Sequence, residues 1–148
     1  TVSTSYAKVV KEFLGLFHTV KPNIYEAEIL SDIKINSEAD LDRAADKILD
    51  TGVKRLFVTL GKDGVYYKDR DGNRMIKKTK AIETMVNATG AGDAFTAGMV
   101  YCTLNNLGID YTLDFSMTAA ILALSHENTI NPNISAQLVK DSMKEWKL

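Results

Sequence analysis

Apolar residues recur along the chain at helical spacing and then in short strand-like runs, and the repeated change of period predicts α/β winding. Val9, Val10, Phe13, Leu14 and Phe17 share one side of a predicted helix over residues 6–17, with Lys8, Lys11 and Glu12 on the other. His18-Thr19-Val20 reads as a short strand that ends at Lys21-Pro22, because the residue before proline is driven to extended backbone. Asn23-Ile24-Tyr25-Glu26 opens the next helix, with Asn at the cap and Glu three residues on as a variant capping box. A third helix, residues 38–51, turns Leu41, Ala44, Ala45, Ile48 and Leu49 inward, and Gly52 is placed to stop it. Strands follow at residues 55–60, 65–68 and 74–78, parted by Gly61-Lys62-Asp63-Gly64, read as a hairpin turn, and by the turn Asp69 to Asn73. Residues 82–86 lead on, and Lys77, Lys78 and Lys80 mark a solvated edge strand rather than a phosphate site.

The C-terminal part changes character. From Ala94 the run Phe95, Ala97, Met99, Val100, Tyr101 and Leu104 predicts a buried helix, closed by Asn105-Asn106-Leu107-Gly108. A further helix runs from Asp110 to Leu124 and is apolar nearly all round, hence buried. A polar loop, Ser125 to Ser135, leads to a last helix, Ala136 to Trp146, capped by Ser135. There are no internal repeats and no low-complexity tract.

Composition narrows the field. A chain of 148 residues suits one domain. With 45% hydrophobic and 25% charged residues and a formal net charge of −1, it lacks the basic excess that holds nucleic acid. No apolar segment reaches membrane-spanning length and no signal peptide opens the chain, so a cytoplasmic protein is expected, with neither membrane nor nucleic acid as partner. The single cysteine, Cys102, reads as a small buried hydrophobe, and His18 as a structural residue.

The chemistry concentrates at Val86-Asn87-Ala88-Thr89-Gly90-Ala91-Gly92-Asp93-Ala94-Phe95. Gly90, Ala91 and Gly92 offer a loop without side-chain bulk, so successive N–H groups can converge on one anion, and the helix that follows aims its positive end at it. Phosphate is the candidate anion. Asp93 stands where loop becomes helix and has two readings. It is either the helix N-cap, which spacing alone favours, or a base that accepts the proton of a hydroxyl attacking a phosphoryl group. Known phosphate fingerprints are excluded: Gly92 is followed by Asp93-Ala94, not the Lys-Ser/Thr of a P-loop, and Phe95 stands where a dinucleotide fold needs its third glycine.

The segment Asn87-Ala88-Thr89-Gly90-Ala91-Gly92-Asp93-Ala94-Phe95-Thr96-Ala97-Gly98 resembles the C-terminal signature of the ribokinase-like (PfkB) sugar and nucleoside kinases. The resemblance implies a backbone anion hole over Gly90, Ala91 and Gly92, and Asp93 as the base for phosphorylation of a substrate hydroxyl by ATP. Two further segments match in the family's order. Asn23-x-x-Glu26 resembles the motif that organises Mg²⁺ and phosphate, with Glu26 acting through water and Glu28 the weaker candidate. The segment from Thr59 to Gly64 resembles one that lines the ATP site, which makes Thr59, Gly61 and Gly64 expected nucleotide contacts. The fold implied is a three-layer α/β/α sandwich with a mainly parallel sheet and a short β-meander. Residues 1–148 would be its ATP-binding C-terminal half, inactive in isolation, the substrate and lid half lying outside this sequence and the full-length protein a homodimer.

One departure matters. Many family members carry Asp where this chain has Asn87, a position associated with a monovalent-cation site, so a K⁺ requirement stays open beside ATP and Mg²⁺. Asn87 and Thr129-Ile130-Asn131-Pro132-Asn133-Ile134-Ser135 resemble the branch that phosphorylates pseudouridine, which becomes the expected acceptor. Ribose, adenosine or fructose phosphate are the alternatives within the family. A non-catalytic nucleotide-binding module is the alternative outside it, and Asp93 argues against that, since binding alone gains nothing from a negative charge beside phosphate.

Overall fold

The computed structural model describes residues 4–79, 89–127 and 131–146. These fall into two compact units that meet in the sequence at Lys78 and Thr79. The strand lead-in at residues 82–86, the candidate cation residue Asn87, Lys80, and Thr129 and Ile130 lie outside the described residues.

In the first unit the described strands form one sheet in the order β1 (Thr19–Val20), β2 (Arg55–Thr59), β3 (Val65–Asp69), β4 (Arg74–Lys77). β1 runs parallel to β2, and an isolated parallel bridge from Asn23 to Thr59 extends the pairing. β2, β3 and β4 are joined antiparallel, with Val58 opposite Tyr66 and Tyr66 opposite Ile76, which is the short meander expected. The parallel part of the sheet is thus represented, among the described residues, by the β1–β2 pair alone.

Period-2 geometry sends Leu56 and Val58 of β2 and Tyr66 of β3 to one face. There they share a core with helix α2 (Ile24–Ser31) and helix α3 (Glu38–Asp50) through Ala27, Leu30, Leu41, Ala45 and Ile48. All the inward positions predicted for α3 are buried. Ser37 caps it, and Gly52 turns the chain away with φ 124°. Three of its outward carboxylates reach basic residues on the sheet: Asp46 pairs with Lys68, Asp42 with Arg74, and Glu38 also with Arg74. On the opposite face of the sheet Phe57 and Tyr67 are buried with ring centroids 4.9 Å apart.

The first helix departs from its pattern. Helix α1 spans Thr4–Lys11 and ends well before Phe17, with a 3-10 turn at Leu14–Leu16. Val9, Val10, Phe13 and Phe17, predicted to face inward, are exposed, whereas Ala7 and Leu14 are buried. A physical cause of the early stop is packing at Gly15: a Cβ there would stand 2.5 Å from the Thr51 carbonyl oxygen. The backbone must come that close to the end of α3, and a continuous helix with side chains could not.

The second unit is helical where described: α4 (Ala91–Leu104), α5 (Ile109–Leu124) and α6 (Ala136–Trp146). α4 lies on α5 at unusually short range, because a Cβ at Gly98 would fall 2.8 Å from Ser116 Cα. Cys102, Phe115, Ala119, Val139 and Met143 form the common core. α5 is buried nearly all round, as its composition predicts.

Candidate functional site

The structure gathers the sequence candidates into two sets, one in each unit. In the first, Asn23 and Glu26 form a reciprocal cap: Asn23 Oδ1 accepts the Glu26 N–H at 2.9 Å, and Glu26 Oε2 accepts the Asn23 N–H at 2.9 Å. The capping reading is therefore realised. It engages one oxygen of each side chain; Glu26 Oε1 is not part of the box. Thr59 closes β2 beside this cap, bridging Asn23 and donating its N–H to the Pro22 carbonyl at 3.0 Å. That adjacency unites two motifs 33 residues apart in sequence, counted from Glu26 to Thr59. Glu28, the weaker candidate, binds Lys34 and the Ile35 N–H; the Lys34 contact chiefly lowers its carboxyl below the ordinary value. It holds the exit of α2.

Gly61 and Gly64 bracket a 3-10 turn between β2 and β3, and they differ. Gly61 has φ 63° with open space around its missing side chain. Gly64 has φ 102°, and a Cβ there would lie 1.9 Å from the Lys77 carbonyl oxygen. The sheet itself demands glycine at 64. At 61 the demand is conformational only.

The second set sits at the start of α4, and here one expectation is corrected. Asp93 is not the N-cap. Gly90 caps the helix in the left-handed region, φ 90°, with no side-chain cap bond, and the helix already includes Ala91 and Gly92. Asp93 is the third helical residue, on the exposed first turn. Only glycine adopts the Gly90 backbone without strain, so the cap moves three residues upstream of the position where an Asp invites it. The first rung of the helix is Ala94 N–H to Gly90 carbonyl at 2.9 Å. The amides of Ala91, Gly92 and Asp93 precede the ladder, at the helix's positive end. The amides read from the sequence as loop thus belong to a helical turn.

Beside this turn opens a cavity of about 490 Å³ that no sequence pattern announces. Gly90, Asp93, Ala94, Ala97 and Tyr101 form its α4 wall, Phe115, Ala119 and Ala123 its α5 wall, and Asn131, Ile134, Ser135 and Ala136 with Val139 close it. Tyr101 stacks on Phe115, centroids 4.9 Å apart and planes 12° from parallel. Lys140 Nζ lies 5.6 Å from the Tyr101 ring centre. Small residues on both helices, Ala94, Ala97, Ala119 and Ala123, leave the space. Gly90 and Asp93 bring the first turn of α4 to this cavity.

Cys102 is buried, and burial pushes its thiol up, against the opposing Thr112 hydrogen bond; it is a packing residue, as read from the sequence. His18 bonds Thr19 at its own strand and belongs to neither set. Among the described residues no group of three His, Cys, Asp or Glu side chains is placed to hold a metal ion by itself, and no helix is long and apolar enough to cross a membrane.

Comparison with known proteins gives the family and the fold. Residues 1–136 match the pfkB family of carbohydrate kinases. A pseudouridine kinase of Escherichia coli is 37% identical over 127 residues, which cover 85% of this chain and 40% of that enzyme. A Clostridium perfringens protein assigned to the sugar kinases superposes with a TM-score of 0.93 at 36% identity, covering 98% of this chain and 45% of that one. An Arabidopsis thaliana ribokinase solved with ribose and ATP has a TM-score of 0.84 at 24% identity and shares the fold, covering 90% of this chain and 43% of its own. The chain therefore spans less than half the length of these relatives. The α/β fold is ribokinase-like, and the chain belongs to the pfkB family of carbohydrate kinases.

Proposed function

We propose that this chain is the ATP-binding part of a kinase that transfers the γ-phosphoryl group of ATP to a hydroxyl of a sugar or nucleoside. The observation that carries the proposal is the first turn of α4, where a carboxylate and three leading amides stand at the rim of an apolar cavity. The cavity receives the base of the nucleotide. The amides of Gly90 to Asp93 stabilise charge on the transferring phosphoryl group, and Asp93 takes the proton of the attacking hydroxyl. A carboxylate is a weak base, but the hydroxyl becomes acidic as its bond to phosphorus forms. Asp93 is not required as a cap, which leaves its position to be explained by chemistry.

Glu26 and Asn23 present hard oxygen donors suited to ordering water around a nucleotide-bound Mg²⁺, with Thr59 and Gly61 as nucleotide contacts. When bound, the ion neutralises charge on the β- and γ-phosphates. Asn87 is the residue to vary when a monovalent cation is tested. Pseudouridine is the proposed acceptor, supported by the pseudouridine kinase relative. In isolation the chain binds ATP without turnover.

Asp93→Asn in the full-length kinase tests the reading. Loss of the base lowers kcat by about 10²–10⁴-fold, while ATP affinity is equal or slightly better because a charge beside the phosphates is gone. Removing a first-turn charge costs the helix only about 0.3–1 kcal/mol, so the variant stays folded. A near-normal kcat would reduce Asp93 to a helix-dipole residue and favour a binding module.

A further inference from the structure

The loop between α5 and α6 contains a side chain that the proposed chemistry leaves unused. Asn131 has 8% of its surface exposed and lines the cavity. Its Nδ2 donates to the Leu122 carbonyl at 3.1 Å, and its Oδ1 accepts the Asn133 N–H at 2.9 Å. Its own carbonyl accepts the Ile134 N–H at 3.2 Å. Leu122 lies in the last turn of α5, where carbonyls have run out of intrahelical donors. One buried carboxamide therefore ties the end of α5 to the segment that leads into α6. Ala119 and Ala123 of α5 and Ile134 and Ala136 of the following segment all line the cavity, so the tie joins two of its walls.

We infer that Asn131 is a positioning residue of the nucleotide site: it sets the width of the base-binding cavity without reading the base. This rests on the assignment of the cavity to the base of ATP. Each end of the carboxamide makes a bond within the chain, so its orientation is set by Leu122 and Asn133 and a turn toward a base edge would break both bonds. Of the other polar side chains of the wall, Ser135 Oγ accepts the Leu138 N–H at 3.1 Å as the cap of α6, Lys140 Nζ stands over the Tyr101 ring, and Asp93 stands at the first turn of α4. What remains at the walls is the stacked Tyr101–Phe115 pair and small apolar side chains, which recognise a flat ring by shape.

The experiment is steady-state kinetics of the full-length kinase with ATP and with GTP as donors, for the parent and for Asn131→Ala and Asn131→Ser. Asn131→Ala removes both bonds and is expected to raise KM for ATP about tenfold, with kcat and the acceptor KM within about threefold and the ATP-to-GTP preference unchanged. Asn131→Ser keeps an oxygen to accept the Asn133 N–H, is too short to reach the Leu122 carbonyl, and falls between parent and Ala; it is the readout should the Ala variant not fold. An unchanged KM for ATP, or a variant in which the ATP-to-GTP preference collapses, would overturn the inference, the second by making Asn131 a base reader. Ala97→Phe, which fills the cavity from α4, separates the two layers of argument. If it leaves ATP binding intact, the base does not occupy the cavity and the parent reading fails; if it abolishes ATP binding, that reading stands and the Asn131 result decides the inference.

Discussion

Alanine at Gly64 and at Gly61 should give sharply different costs although the positions are three residues apart. At Gly64 the backbone sits at φ 102°, ψ −133°, a combination open essentially only to glycine. Strain of this kind costs about 1–3 kcal/mol. The added carbon would also stand 1.9 Å from the Lys77 oxygen and 2.8 Å from its carbonyl carbon, so β4 must move by an ångström or more where Lys77 pairs Val65. Overpacking adds about 1–3 kcal/mol. The smaller freedom of an unfolded chain with alanine returns only about 0.4–1 kcal/mol. Gly64→Ala should therefore lose roughly 1–5.5 kcal/mol, enough at the upper end to threaten the meander. Gly61→Ala meets open space and bears only the left-handed penalty of about 1–2 kcal/mol. Urea midpoints at constant m-value measure both. Equal shifts for the two variants, or a Gly64→Ala protein within 1 kcal/mol of the parent, would refute the reasoning. Because Gly61→Ala keeps the fold, its KM for ATP then tests the proposed nucleotide contact.

Two further outcomes follow from the polar framework. Asp69 is buried, which disfavours its charge, yet its carboxyl sits below the ordinary value because Asn73, Tyr67 and the Asp71 amide all donate to it. Asp69→Ala strands these donors at the β3–β4 turn and should cost about 2–3 kcal/mol by urea unfolding; a loss under 0.5 kcal/mol would contradict it. Asp40, held at about 2 chiefly by Arg43 and also by Ser37 and the Asn36 amide, is ionised in the fold below the pH at which the unfolded chain protonates. Its contribution is complete above about pH 4 and disappears as the pH falls toward 2, so Asp40→Asn should flatten that part of the acid-unfolding profile and leave the neutral range parallel to the parent.

Much of the first unit was legible because local rules and tertiary packing agree there. α3 has a cap at Ser37, a stop at Gly52 and a single apolar face, and each feature is realised. The Asn23–Glu26 cap is likewise a contact between near neighbours. α1 misleads because its periodicity marks a face that is exposed, while the break is set by the approach of Gly15 to Thr51, a partner 36 residues away. At the motif the glycine-rich run looks like pure loop, so Asp93 seemed the first chance to cap; φ 90° at Gly90 settles the cap without a side chain. The cavity was illegible for another reason. It is bounded by three helices and a loop, and the alanines that create it look in sequence like ordinary core.

The close seat of Gly98 on Ser116 makes the front of α4 a short cantilever. Asp93 lies five residues ahead of that fulcrum, about 7.5 Å along the axis at 1.5 Å per residue. A methyl group wedged at the fulcrum that tilted the rod by about 5° would swing its tip by roughly 0.7 Å. Misplacement on that scale is felt in phosphoryl transfer, where alignment supplies much of the rate. On the proposed role of Asp93, drift at residue 98 would therefore be filtered for aim as well as for stability.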